Sequence, residues 1–290
     1  MSSAPVAPGL VLSDKEQWRR QYRARERRRS TILATVSSVV FAAAVWLAVI
    51  HTPGWPIARQ TFFSPSVFRQ TFPAIARAMR VNLEILVIGE FCILGLGLLI
   101  ATLRTSTGPL LTPLRLAGSL YVDLFRGCPL IILLYLIGDG VPSLRLSALP
   151  VSTTIWGTVA IILNYSAYVA EVMRAGIQSV HPSQRAAARS LGLTQRQTLR
   201  IVVLPQAVRA VLPALLNDFV ALQKDVGLIA IVGGTTDAIQ QATIDNSLSY
   251  NFTPYVVAAL LFIALAVPSG RFADAYAARA NRRQRAGAVV

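Results

Sequence analysis

The sequence predicts an all-α integral membrane protein: a bundle of six transmembrane helices, made of a five-helix core and one helix added before it. Two observations carry this. Hydrophobic residues make up 54% and charged residues 14%, with a mean hydropathy of +0.54, whereas soluble domains carry about 25% charged residues. The apolar residues also come in runs near 20 long, the length that crosses a hydrocarbon core of about 30 Å. This composition excludes a disordered chain, a collagen-like chain and a disulfide scaffold. The net charge of +15 and pI of 11.1 would suit a nucleic-acid binder only if the positive charge gathered on one folded face. It lies instead along the ends of the apolar runs, so no nucleic-acid partner is expected.

Residues 1–30 read as a basic tail, and residues 1–12, with Pro5 and Pro8, are expected to lack fixed structure. The first span, Thr31 to Ile50, contains no charge. It is longer than the roughly 7–15-residue core of a cleaved signal. The segment after it, His51-Thr52-Pro53-Gly54-Trp55, offers no small-x-small site, so an uncleaved anchor is expected. Residues 51–80 read as an extracytoplasmic loop, followed by a transmembrane domain over 81–270. Its first span, Val81 to Leu103, is apolar apart from Asn82, Glu84, Glu90 and Thr102. The next, Leu116 to Ile137, holds Asp123, Arg126 and Pro129. Within it, Arg126-Gly127-Cys128-Pro129 marks a kink, with Arg126 reaching toward the cytoplasmic surface. Thr153 to Met173 is free of charge up to Glu171, where an i, i+3 pair with Arg174 is expected at the rim. A loop over 174–209 leads to Val211–Val232, which carries Asn217, Asp218, Lys224 and Asp225. The last span is Pro254 to Pro268, before a basic tail over 271–290. The third and fifth spans are polar enough to need partners inside a bundle.

Orientation follows from Lys and Arg. Eight of them precede the first span, which places the N-terminus in the cytoplasm. Six spans return the C-terminus to the same side, so both termini are expected to be cytoplasmic. On this topology 21 of the 28 Lys and Arg are cytoplasmic. Arg59, Arg69, Arg77 and Arg80 oppose the rule locally and are outvoted across the first span. The expected location is the plasma (cell inner) membrane.

No catalytic group assembles. The only lysines are Lys15 and Lys224, and neither follows a glycine as a phosphate loop requires. The only histidines, His51 and His181, fall on opposite sides of the membrane. The two cysteines, Cys92 and Cys128, lie in spans and read as buried thiols. No metal cluster or nucleophile pair follows from this set. Glu84 and Glu90 are six positions apart, well separated around a helix.

The loop after the fourth span is the most informative stretch. It reads as two short helices. Pro182 or Ser183 opens the first, and Gly192 closes it. Thr194 with Gln197 forms a capping box for the second, which ends at Leu204-Pro205. The first helix presents Ala187, Ala188 and Leu191 as a small, smooth apolar face. That face suits a groove in another protein. It equally suits headgroups, with Arg185, Arg189 and Arg196 beside it.

These residues resemble a family. Ala186-Ala187-Ala188, three residues, Gly192, nine residues, Val202, Val203 and Leu204-Pro205 match the spacing of the motif in permease subunits of ABC importers, in the branch that carries polar amino acids. The flanks match too, at Ala167 to Glu171 and Arg174 to Val180. So do Leu124-Phe125-Arg126-Gly127 with Pro129-Leu130, and Asn217 through Lys224-Asp225. The likeness covers about residues 80 to 270 and leaves the first span outside as an addition. It departs at Ala186, where the family has glutamate.

The resemblance implies a role and partners. Two permeases pair, a dimer of ATP-binding subunits docks below them, and an extracytoplasmic solute-binding protein delivers substrate. ATP and Mg are bound by the ATPase, with no cofactor in this chain. Ser183, Ala186, Ala187, Ala188, Leu191, Gly192, Val202, Leu204 and Pro205 are then the loop that couples the spans to the ATPase. The missing glutamate favours a heterodimer, with the intact motif on a second permease; a homodimer stays open.

An amino-acid zwitterion needs both charges met inside the bundle. On span five, Asn217 and Lys224 share one helical strip and Asp218 and Asp225 the next. Span four offers Asn164, Tyr168 and Glu171. Lys224 suits a carboxylate, and Asp225 or Glu171 an ammonium. The competing reading, weighted slightly higher, has Lys224 and Asp225 as a latch or gate between helices. Two other functions stay in view: an ATP-independent secondary transporter or channel, which would want an internal repeat, and a non-transporting anchor or assembly subunit.

Overall fold

A computed structural model describes residues 14–106, 108–234 and 236–287. The expected unstructured tail at residues 1–12 lies outside them. The described chain is helical between its turns and divides into two compact units between Gln60 and Thr61.

In the first unit, α1 runs Asp14–Ile50. Residues 14–30, expected as a tail, are therefore helical and continuous with the first span. Helix-forming Arg, Glu and Gln fill this stretch, and no Gly or Pro interrupts it. Residues 31–49 are exposed along their whole apolar length, as a helix turned to lipid should be. After a short turn, α2 (Trp55–Phe62) begins, and Trp55 meets Trp46 edge-on with ring centroids 6.1 Å apart.

The second unit is built on α3 (Pro65–Thr105) and α7 (Thr153–Ser179). Residues 65–80 are thus helical where a loop was expected. Pro65 opens α3 in its first turn, where a missing N–H costs nothing. Ile75 and Met79 give this stretch an inward face, packed with Ala238, Ala242, Val257 and Ala258. Three of the four arginines that oppose the positive-inside rule, Arg69, Arg77 and Arg80, lie on α3, and Arg80 pairs with Glu84 at the surface. At 41 residues α3 is about 60 Å long, twice the hydrocarbon thickness.

Helices α3 and α7 touch closely. A methyl group on Gly97 would sit 2.6 Å from Val169 Cγ1, so only glycine fits there. Around this contact lies the main core, with Leu86, Ile93, Leu134, Ile161, Leu222 and Ile229.

The remaining elements close the bundle. A 3-10 turn (Pro109–Leu111) leads to α4 (Thr112–Gly127). After Cys128-Pro129 come α5 (Leu130–Leu133), a π turn (Leu134–Asp139) and α6 (Gly140–Ser143). The expected third span is this pair, bent by 105°, so the kink is a full corner. Beyond α7 lie α8 (Pro182–Ser190), α9 (Gln195–Gln197), a π turn (Thr198–Val203), α10 (Leu204–Asp225) and a 3-10 segment (Val226–Val232). Then come α11 (Ala238–Ser249) and α12 (Thr253–Gly287). Among the described residues five helical stretches are long and apolar enough to cross a membrane, or six with the bent pair as one span.

Candidate functional site

The loop of residues 174–209 is held by caps at each step. His181 is the N-cap of α8, and its ring accepts the Ser183 N–H at 3.2 Å; Pro182 follows as the first helical residue. The helix ends in a glycine-terminated motif. Gly192 has φ +85°, Leu193 N–H donates to Ala188 O at 3.2 Å, and Gly192 N–H donates to Arg189 O at 3.0 Å. These two bonds satisfy the terminal carbonyls in the manner that requires a left-handed residue after the cap. The expected capping box is present: Gln197 N–H reaches Thr194 Oγ1 at 3.3 Å, and Thr194 N–H reaches Gln197 Oε1 at 2.8 Å.

Two expectations change here. Leu204-Pro205 does not end the second helix. The chain passes through the π turn into α10, with Leu204 N–H bonded five residues back to Leu199 O. The missing proline donor falls where the helix narrows from π to α, so no regular turn loses a bond. The end of the loop is therefore continuous with the helix read as span five. Nor do Ala187, Ala188 and Leu191 share one face. Ala188 is 4% exposed and turned inward, where α8 packs on the π turn, while Ala186, Ala187 and the 83%-exposed Leu191 face out. Of the motif's last aliphatics, Val203 is buried and Val202 half-buried.

The polar residues inside the bundle fall into separate groups. Asn164 is buried and serves the corner after α4: its amide donates to Phe125 O at 2.7 Å and to Cys128 O at 3.5 Å. Pro129 caps the far side of that corner, as the residue before α5. Tyr168 also faces the corner. Its hydroxyl donates to Arg126 O at 3.4 Å, and the Arg126 guanidinium lies 5.4 Å from its ring centroid. Asp225 accepts from the Tyr165 hydroxyl at 2.6 Å. Lys224 and Asn217 are exposed on α10, and their side chains make no hydrogen bond or ion pair among the described residues. Asp218 is half-buried, with one carboxylate oxygen enclosed and unpartnered. Glu90 of α3 lies within electrostatic range of it.

At the rim, Glu171 pairs with Arg174 as expected, and also with Arg104 at 2.7 Å. Sequence reading missed Arg104 and Tyr165. Both are distant in sequence from their partners, and only the α3–α7 and α7–α10 contacts bring them together. Of the cysteines, Cys92 is exposed on α3 rather than buried. No group of metal-ligating residues gathers among the described residues.

Comparison with known proteins decides what this arrangement belongs to. The inner membrane components of binding-protein-dependent transport systems match residues 93–282. The chain belongs to that family. It is 35% identical to the probable glutamine ABC transporter permease protein GlnM of Bacillus subtilis, over 60% of this chain and 77% of GlnM. It is also 35% identical to the inner membrane amino-acid ABC transporter permease protein YhdY of Escherichia coli, over 64% of this chain and half of that longer protein. A chain from a crystal structure of an amino acid ABC transporter with histidines superposes with a TM-score of 0.65 at 32% identity, covering 75% of this chain and 98% of that one. This protein is an inner-membrane, multi-pass permease subunit of the amino-acid ABC importer type. Membership of a binding-protein-dependent system sets aside the ATP-independent carrier and the non-transporting anchor.

Proposed function

We propose that the chain forms half of a translocation pathway for a polar amino acid, moved by alternating access and driven by ATP hydrolysis in a separate subunit. One observation supports this most: the coupling loop is capped at His181, Gly192 and Thr194, and its second half is continuous with α10. A stiff element of this kind can transmit a displacement, because its two positions differ in contacts and not in internal shape. Ala187, Leu191 and the exposed side of the π turn meet the ATPase, which binds ATP and Mg. This chain itself carries no catalysis. The N-terminus, the coupling loop and the C-terminus share the cytoplasmic side, and a solute-binding protein docks opposite.

Ala186 is exposed, so the family's glutamate would stand at a partner surface and not inside the loop. Its loss weakens that contact, which favours a heterodimer with a permease that retains it. Along the path, Asn217 and Lys224 form the exposed strip of α10 and Asp218 the half-buried one. Asp225 acts with Tyr165 as a gate between α7 and α10. Asn164 and Tyr168 shape the corner of the third span and line the path only indirectly.

The test is reconstitution with the cognate ATPase, second permease and binding protein, followed by ATP hydrolysis and uptake across a panel of amino acids. Hydrolysis stimulated by one or a few loaded binding-protein states is the expected result. A chain that neither retains an ATPase on purification nor supports uptake would overturn the proposal.

A further inference from the structure

Arg104 stands in the last turn of α3 and reaches three elements at once. Its guanidinium Nη1 lies 2.7 Å from Glu171 Oε2 on α7, and its Nε donates to Ser119 Oγ on α4 at 3.3 Å. Its aliphatic stem runs under Gly118, where a methyl group would approach Arg104 Cγ to 3.1 Å. A larger residue at 118 would push the stem aside. The side chains of Arg104 and Glu171 are 12% and 25% exposed, so the pair is screened far less than a surface pair. Arg174 donates to both oxygens of Glu171, its Nη2 to Oε1 and its Nε at 3.2 Å to the Oε2 that Arg104 also holds, and it bonds Gln178 Oε1 at 2.8 Å.

The position of this cluster gives it a consequence. Glu171 lies eight residues before the end of α7, and α8 starts at Pro182. Arg185 of α8 donates back to Ile177 O, one of the last carbonyls of α7. The first coupling helix is thus fastened to the end of α7, and that end is fastened through Glu171 and Arg104 to α3 and α4.

We infer that Arg104 is a positioning residue for energy coupling: its fork binds the coupling end of α7 to α3 and α4, so that a push on α8 moves three helices as one body. The inference rests on the importer reading above. A planar fork with separate donors can hold Ser119 and Glu171 together, which a lysine ammonium on its flexible stem cannot do in the same geometry. The contribution is an interaction between sites, so it appears as non-additivity and not as simple loss of stability.

The experiment uses the whole complex in proteoliposomes, measuring basal ATP hydrolysis, binding-protein-stimulated hydrolysis and solute uptake per ATP. Arg104→Lys keeps the stem and the charge and is expected to insert and assemble normally. It should retain basal hydrolysis and lose about tenfold in uptake per ATP, a size within the coupling range of contacting residues. Glu171→Gln should show a similar loss, and the double variant should be no worse than Glu171→Gln alone. Normal uptake per ATP in Arg104→Lys overturns the inference. So do losses that multiply in the double variant, or basal and stimulated rates that fall together with the amount of assembled complex. If Glu171→Gln fails to assemble, Arg104→Lys still decides. A wild-type complex without stimulated hydrolysis would count against the importer reading itself, whatever the Arg104 variants do.

Discussion

The Tyr165 hydroxyl donates to Asp225 Oδ2 across 2.6 Å, joining the middle of α7 to the end of α10. Lys224, the next residue back on α10, takes no part in the bond and points to the exposed side. The two neighbours therefore have different work. Asp225 is tied across the bundle, and the Lys224 side chain stands exposed. Tyr165→Phe should lower stability by about 1 kcal/mol, the cost of leaving a half-buried acceptor without its donor. Adding Asp225→Asn should cost less than the two singles summed, because the second change removes a group already orphaned. Thermal unfolding of the four proteins in detergent checks this, and strict additivity would refute the bond as a functional unit.

Gly192 should tolerate no ordinary side chain without loss of coupling. Its φ of +85° disfavours any residue with a Cβ by roughly 1–2 kcal/mol. Proline is worse, since it fixes φ near −65° and removes the N–H bonded to Arg189 O. Gly192→Pro is expected to insert normally, keep basal ATP hydrolysis in the complex and lose stimulation by the binding protein. Full stimulation in that variant would show that the end of α8 carries no force.

The inward and outward sides of α8 separate two substitutions that look alike in sequence. Ala188→Glu places a carboxylate at a position 4% exposed, one turn after Arg185, whose guanidinium is already engaged with Ile177 O, and in the space where α8 packs on the π turn. That should unfold the loop and raise its susceptibility to proteolysis. Ala186→Glu adds the same group to an exposed position and should leave loop stability within about 0.5 kcal/mol. It should also raise the yield of ATPase retained on purification. Equal proteolysis of both variants would show that the two positions do not face opposite ways.

Much of this was legible in the residues, and the exceptions have physical causes. Capping is local, so Pro182, Gly192 and Thr194 with Gln197 could be read directly, while the ring of His181 as the cap before Pro182 was not foreseen. Apolar runs gave the spans because bilayer thickness fixes their length. The corner at Cys128-Pro129 was visible as a kink, but its 105° angle depends on Asn164, 39 positions away from the carbonyl it satisfies at Phe125. Pro205 misled because a proline ends a helix only if a regular turn needs its N–H, and a π turn before it removes the need. The helix over residues 65–80 was missed because only long apolar runs were read as spans, and its buried face, at Ile75 and Met79, is short and interrupted by polar residues.

Asn164 should prove structural in its effect. Its amide donates to two carbonyls freed where α4 breaks. Asn164→Leu keeps the γ-branched shape with somewhat more bulk and leaves those acceptors unpaired, at about 1–3 kcal/mol. Asn164→Asp should be worse, because a carboxylate oxygen replaces the donor and faces a carbonyl. Both should lower the unfolding temperature of the isolated permease. A variant with normal stability and altered substrate preference would instead place Asn164 on the path.

Asp237 gives a pH dependence whose sign can be worked out. It lies between the spans, fully buried as the N-cap of α11, and it accepts from Gln240 N–H and from the Asn82 amide, both at 2.9 Å. Asn82 in turn accepts the Ala238 N–H at 3.0 Å. Burial raises the Asp237 carboxyl above its ordinary value of 3.8, and these hydrogen bonds offset part of the rise. The folded protein therefore holds this proton more readily than the unfolded chain does. Where the folded state binds more protons, stability falls as pH rises. The contribution of Asp237 is complete below pH 3.8 and is lost as pH climbs through the raised folded-state value. Asp237→Asn keeps the cap to Gln240 through its carbonyl oxygen but sets amide against amide at Asn82, so it should be less stable throughout. Its stability should nonetheless lack the declining component that wild type shows just above pH 3.8. Unfolding of both proteins between about pH 3.5 and 6 measures the difference in slope, and parallel curves would mean that Asp237 titrates alike in the folded and unfolded states.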